Sequence, residues 1–426
     1  MIWVLIAFVV FILINVPIAF AIGAAGLVYF LLDPNLPTEL AIQRFASGTQ
    51  SFPLLAVPFF VLAGNLLNET GITKRLIDFA DALIGHIVGG LAHVSILLSA
   101  MMGGISGSAN ADAAMQSRIL APQMIAKGYS GGFSVSVIAL SALITATIPP
   151  SIGLILFGFV GEVSIGQLFM AGIIPGILMT LTLLITSTII AKKRKYVPSR
   201  VKRASFKEVV VTFRRSFWGL LFPVILIVGI RFGVFTASEA GAFAVVYAFV
   251  VGAFIYKELN WAKLNKVLKN TVEDNAVIML IIAAAAILGH VITSARLPQE
   301  ATQGMLSLTE NPILIMVIIL TFLLVAGMFM ESTVNTLLLT PILLPIVVSI
   351  GMDPVHFGIV MMTIVTMGGM TPPIGVTMYT ACSLANVPVI DYMKESVPFI
   401  LSIIVFIILL VVFPQITLFL PELLMR

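Results

Sequence analysis

The sequence predicts an all-α polytopic membrane protein: an inverted repeat with two opposed re-entrant helical hairpins, one in each half. Three observations carry that prediction. Only 10 % of the 426 residues are charged while 60 % are hydrophobic, where a soluble domain has about 25 % charged. The mean hydropathy is +1.14. So few polar side chains cannot cover a water-facing surface, and the solution open to such a chain is a set of helices spanning a bilayer. The second observation is a set of features repeated at one offset, and the third is the crowding of Lys and Arg into a few loops. The pI of about 9.2 reflects those loops and not a basic face, which excludes a nucleic-acid partner. One cysteine, Cys382, excludes a disulfide framework, and four histidines leave little for a zinc site.

Charge-free runs mark the spans in order. The opening MIWVLIAFVVFILINVPIAF lacks the basic flank and cleavage site of a secretory signal. It reads as a retained first span, with crossings over 1–14, 17–32 and 53–68. The first hairpin has arms over 86–105 and 111–127, and crossings over 130–160 and 164–190 complete the first repeat, 1–191. Ten of the 23 Lys and Arg then lie between Lys192 and Arg215, and cytoplasmic loops collect such residues, so 192–215 is a basic cytoplasmic loop. The second repeat, 216–426, crosses over 216–231, 236–256 and 271–294, enters a hairpin with arms 311–329 and 336–350, and crosses again over 355–380 and 396–421. With the N-terminus outside, 19 basic residues fall inside and four outside: Arg44, Arg231, Arg296 and Arg426. Five crossings per half make the repeats inverted, as in many transporters.

The repeat is read from residues at an offset of 223: Pro149-Pro150 with Pro372-Pro373, Pro122 with Pro345, Gly128 with Gly351, and the stretch 17–32 with 240–255. Within each half, two irregularities stand at membrane depth. One is a polar hairpin tip, GGISGSANADAAM (103–115) or GMFMESTVNTLLL (327–339). The other is a Pro-Pro break in the following helix, where the missing donor and ring clash unwind the backbone. Irregular backbone at that depth is tolerated where it lines a cavity. Half-helix C-termini and unwound carbonyls favour cations, and helix N-termini favour anions. Tip plus break, twice, therefore predicts two cation sites flanking one anionic substrate.

The first site takes Ser106, Ser108 and Asn110 from the tip with Thr145, Thr147 and Pro149 from the break; the second takes Ser332, Thr333 and Asn335 with Thr366, Gly369 and Thr371. Neutral oxygens are the hard ligands a small cation such as Na⁺ takes. Ser, Thr and Asn at a turn also cap the next helix, and for any one residue both readings stand. Ser108, Asp112, Pro150, Thr333 and Pro373 fall in the substrate vicinity. Asp112 is either an intramembrane functional acid or a first-turn acid at a helix N-terminus; Glu331 is either a solvated acid or a proton relay. Arg118 reads as a snorkelling side chain, and His86 and His93, seven apart on one face, as packing. No HExxH or GxxxxGK[ST] occurs, which removes the commonest signatures of metalloproteases and nucleotide-driven pumps.

PFFVLAGNLL (58–67), GGISGSANADAAM (103–115), ATIPPSIGLILFG (146–158), FGVFTASEAGAFAVVYA (232–248) and GGMTPPIGVTMY (368–379) together resemble the large membrane subunit of tripartite ATP-independent periplasmic (TRAP) transporters, the DctM type. The likeness runs nearly end to end. Ala237 stands where family members often have Pro. The resemblance implies an elevator-type transporter of the bacterial inner membrane that is driven by Na⁺ and imports a small organic acid of the C4-dicarboxylate or sialic acid kind. It implies two protein partners, a small four-helix membrane subunit and a periplasmic substrate-binding protein. It also implies that the family's sodium sites fall on the two tip-plus-break clusters. A stand-alone Na⁺- or H⁺-coupled symporter or antiporter of related fold remains the alternative. A channel is disfavoured, because opposed dead-end hairpins block a continuous pore.

Overall fold

The computed structural model describes residues 2–33 and 36–425, so Arg426 and the first residue of the 1–14 crossing lie outside the described residues. Among the described residues the chain is all helix and turn. The first half holds α1 (Ile2–Leu13), α2 (Ile18–Leu32), α3 (Thr38–Ser47), α4 (Ala56–Glu69), α5 (Ile72–Ile84), α6 (Gly90–Ser106), α7 (Ala109–Ala126), α8 (Gly131–Thr147), α9 (Ile152–Val160) and α10 (Ile165–Arg194). The second holds α11 (Phe206–Arg231), α12 (Ala237–Val250), α13 (Trp261–Ser294), α14 (Leu297–Leu308), α15 (Pro312–Phe329), α16 (Ser332–Ser349), α17 (Pro354–Gly368), α18 (Val376–Ala385), α19 (Val389–Val412) and α20 (Gln415–Leu424). Among the described residues, eight helices are long and apolar enough to cross a membrane, or nine with α8 and α9 taken as one span bent by 46°. The chain is a multi-pass membrane protein.

The 223-residue offset recurs in the helix boundaries. The starts of α7 and α16, and of α8 and α17, are each separated by the same 223 residues as the Pro-Pro pairs. Gly128 and Gly351 both turn at φ 84° between these helices, and both Pro-Pro bonds are cis. Pairs α6–α7 and α15–α16 are the two hairpins, each closed by a two-residue turn.

Packing separates the helices into two groups. α4 lies along α12, α2 along α13, and α1 and α3 flank them. Small residues set these approaches: a Cβ on Gly26 would meet Ile287, and one on Gly48 would run into Ala286. In the other group the hairpins pack on α8 and α17, helices buried on nearly every side, which is what apolar residues all round a helix demand. The broken half-helices cross over between repeats: α9 packs on α16, and α18 on α7. α5 touches both α11 and α6, and α14 both α13 and α16, so each bridges the two groups.

α5 and α14 are absent from the span reading for a physical reason. They are amphipathic: Ile72, Leu76, Phe79 and Ala80 of α5 are buried while Lys74 and Asp78 are not. A search for charge-free runs passes over such helices. The helix-free part of the basic loop is also shorter than 192–215, because α10 runs to Arg194 and α11 starts at Phe206. The expected last crossing, 396–421, is divided between α19 and α20 at Phe413-Pro414. Ala237 is the first residue of α12, behind a Thr236–Glu239 capping box. Proline is favoured at that position, so Ala there leaves the helix start intact.

The segments that the charge pattern assigns to the cytoplasm meet one another. Arg75 pairs with Glu258 at 2.5 Å beneath the Tyr256 ring, Arg194 with Glu395 at 2.6 Å, and Lys266 with Glu69 at 2.6 Å. Arg200 pairs with both Asp81 and Glu208, and these hydrogen bonds, Asp81 first, hold its pKa above the ordinary value. Lys127 donates to the Ser199 carbonyl. In a Cys382→Ala background, Arg203→Cys should label only from the cytoplasmic face and Phe232→Cys only from the opposite face, since α11 crosses between them. Labelling of both from one face refutes this orientation.

Candidate functional site

Each hairpin tip is built by a helix stop, an extended cap and a new helix start. At the first, α6 ends in Gly107 at φ +59°, and Ser108 caps α7 by accepting from the Ala111 N–H at 3.4 Å. A Cβ on Gly107 would run into the Pro150 carbonyl oxygen, so the tip sits against the break of its own repeat. At the second, Met330 is extended and Glu331, the repeat equivalent of Ser108, caps α16 by accepting from the Thr333 N–H at 3.0 Å. Gly327 lets α15 approach Val365 and Gly368 of α17.

Both tips and both breaks border one cavity of about 720 Å³, within the size range of small-molecule sites. Its wall includes Ser106, Ser108 and Asn110; Ser332 and Thr333; Thr366 and Gly369; and Ser151, Thr377 and Thr380. Among the described residues its lining contains Glu273, Asp274 and Glu331 and no Lys, Arg or His. The first turns of α7, α9, α16 and α18 all border it. From the other helix group, Asn65 on α4 bonds to Thr271 and Asp274 of α13 at 3.1 and 3.0 Å.

The expected ligands divide by what already holds them. Ser106 Oγ, Asn335 Oδ1 and Thr366 Oγ1 are buried oxygens with no hydrogen-bond partner among the described residues. Buried polar atoms are normally paired, and orphaned oxygens at a tip and a break are what a desolvated small cation would satisfy. The Asn335 amide donates to Met330 O at 2.8 Å and Glu331 O at 3.3 Å, tying the tip together. Ser332 donates to Glu331 at 3.2 Å. Thr147 and Thr371 donate back along their helices to Leu143 O and Met367 O. The Gly369 carbonyl accepts from the Thr377 and Met378 N–H groups. Thr145 donates to Asp112 at 2.8 Å or to Ser99 O at 2.9 Å.

Asn335, Thr145, Thr147, Pro149, Thr371, Asp112, Pro150 and Pro373 stand behind the cavity wall and not on it. Asp112 is buried among Ser99, Gln116 and Thr145. Thr377, which donates to Asn110 Oδ1 from the opposite repeat, is a wall residue that sequence reading missed. Its signal was its place in the first turn after the Gly375 break.

Compared with known proteins, residues 5–416 match the family described as the tripartite ATP-independent periplasmic transporter, DctM component. The sialic acid TRAP transporter large permease protein SiaM of Vibrio cholerae is 37 % identical over 409 residues, covering 96 % of this chain and 95 % of that protein. The C4-dicarboxylate TRAP transporter large permease protein DctM of Pseudomonas aeruginosa is 34 % identical over 403 residues, 94 % of each. The crystal structure of the Alcanivorax borkumensis YdaH transporter superposes with a TM-score of 0.62 at 15 % identity, covering 90 % of this chain and 89 % of that one, and so shares the fold.

Gly107→Ala should lower the melting temperature more than Gly128→Ala. Both force a positive φ on a side chain, at roughly 1–2 kcal/mol. Only the first adds a clash with Pro150 O, because nothing lies near a Cβ at Gly128. Equal losses would mean that the tip does not press on the break.

Proposed function

The chain belongs to the DctM family, the large permease components of tripartite ATP-independent periplasmic transporters, and from that premise we propose that it imports a small organic acid coupled to Na⁺. One observation carries the reading. Four helix N-termini, whose dipoles favour anions, border a cavity that, among the described residues, offers three acids and no basic side chain. A carboxylate entering alone would face net repulsion; one entering with cations would not. Cation and acid then bind together, which is what coupling requires.

The neutral caps Ser108 and Ser151 make the α7 and α9 ends the better place for the substrate carboxylate. The cations would sit at the two tip-plus-break clusters, where Ser106, Asn335 and Thr366 offer oxygens that nothing else engages. Asn110, Ser332 and Thr333 complete the facing walls. We assign the second-site roles of Gly369 and Thr371 to shaping the α17–α18 turn that presents Thr366. In the first site, Thr145, Thr147 and Pro149 act from behind Ser106 and Ser108.

The two hairpins are proposed to be re-entrant from opposite faces, which is supported by their tips bordering a single cavity. Transport would proceed as an elevator. The hairpin group would slide past the α2–α4 and α11–α13 group, with α5 and α14 as the connecting arms. The setting would be the bacterial inner membrane, beside a small four-helix membrane subunit, with cargo delivered by a periplasmic binding protein.

The test is uptake into proteoliposomes of the chain with its small membrane partner and binding protein, scanning C4-dicarboxylates and sialic acids. Uptake should require both the binding protein and an inward Na⁺ gradient. Uptake that needs no binding protein refutes the tripartite reading, and uptake indifferent to Na⁺ refutes the coupling. Asn110→Ala and Thr366→Ala should each raise the Na⁺ concentration for half-maximal uptake by roughly tenfold or more, with normal membrane insertion.

A further inference from the structure

Behind the first tip lies a closed polar cluster. Asp112 Oδ2 accepts from Ser99 Oγ at 2.7 Å, from Thr145 Oγ1 at 2.8 Å and from Gln116 Nε2 at 3.0 Å. Gln116 also donates to Ser99 Oγ at 2.7 Å and accepts from Ser95 Oγ at 2.6 Å, and Ser99 reaches Ser141 Oγ at 3.1 Å. The cluster joins α6 through Ser95 and Ser99, α7 through Asp112 and Gln116, and α8 through Ser141 and Thr145. Asp112 is 1 % exposed, and no cationic side chain pairs with it among the described residues.

The second repeat solves the same packing problem without this cluster. At the positions 223 residues on it has Leu339 for Gln116, Ile364 for Ser141 and Gly368 for Thr145, while Ile318 and Phe322, in place of Ser95 and Ser99, are exposed, and α15 packs along α17 with Ile315, Ile319, Leu323 and Gly327 among its buried residues. Asn335 replaces Asp112, and its amide bonds stay within its own hairpin, at Met330, Glu331 and Ala326. Apolar packing therefore suffices to seat a hairpin on its broken helix in this fold. A buried acid costs desolvation that apolar residues of similar volume avoid. The cluster in the first repeat must do something that packing alone does not.

Thr145 has one hydroxyl proton and two acceptors for it, the Asp112 carboxylate and the Ser99 carbonyl. Both point its proton at the cluster, which leaves a Thr145 lone pair free for another partner. Asp112 also lies in the first turn of the helix capped by Ser108, two residues beyond Asn110. One carboxylate thus fixes the break-side hydroxyl and the tip-side helix start together. We propose that Asp112 is a positioning residue for the first cation site, holding Thr145 and the Ser108–Asn110 turn in register without touching the ion. This rests on the sodium reading above. Outer partners of this kind typically change ion affinity by about 10–100-fold when removed.

The experiment is thermal unfolding of the purified full-length chain in detergent, titrated with NaCl against choline chloride at constant ionic strength. Bound Na⁺ raises the melting temperature by mass action. Asp112→Asn keeps the shape but places an amide donor among three donors. It should shift the Na⁺ concentration that gives half the stabilisation upward by about tenfold. Ser99→Ala, a milder loss, should shift it in the same direction, and it serves if Asp112→Asn does not fold. A merely structural role would lower the melting temperature equally with and without Na⁺ and leave that concentration unmoved, which would overturn the proposal. If the wild-type chain shows no Na⁺-dependent rise at all, the sodium reading itself falls, and this inference falls with it.

Discussion

A hydrocarbon core supplies no water to an exposed peptide group, so every interruption of a helix there must be sheltered by protein or filled by something polar. This constraint organises the whole molecule. The chain interrupts its helices at two tips and two Pro-Pro breaks, then encloses all four. α8 and α17, buried on nearly every face, form the middle, and the interruptions are turned toward one another around a single cavity. The local chemistry follows. Serine hydroxyls and one glutamate close the new helix starts, carbonyls such as Gly369 O take the N–H groups of the following half-helix, and a few oxygens remain without partners.

Much of this architecture was legible in the residues because its causes are local. Proline pairs, glycine at a forced turn and polar letters inside apolar runs each mark a place where a helix is interrupted. The common offset then ties them into a repeat, and the helix boundaries of α7, α8, α16 and α17 fall on it. α5 and α14 were not legible, since a helix that shows one face to charge and the other to protein leaves no charge-free run. The division of the chain into repeats hides a further feature. The half-helices α9 and α18 cross to the opposite repeat, which no spacing within either half encodes.

The candidate site was legible as residue types and less so as geometry. Ser106, Ser108, Asn110, Ser332, Thr333, Thr366 and Gly369 reach the cavity wall. Asn335 and Thr145 stand one layer back, because a helix turn places successive residues 100° apart and offset spacing does not say which way each one faces. Thr377 was missed since its partner, Asn110, lies in the other repeat. Asp112 and Asn335 show how a duplicated frame diverges: one position, once an acid at the centre of a cluster that joins three helices, once an amide that stitches its own turn.

The exchange of α9 and α18 between repeats also bears on how the chain is made. α9 packs against α16, which follows it by well over a hundred residues. During synthesis the first half therefore reaches the bilayer with a groove that only later sequence can occupy, and α7 waits likewise for α18. Neither half is a finished object in isolation. The bond from Thr377 to Asn110 needs both halves in place before it can form.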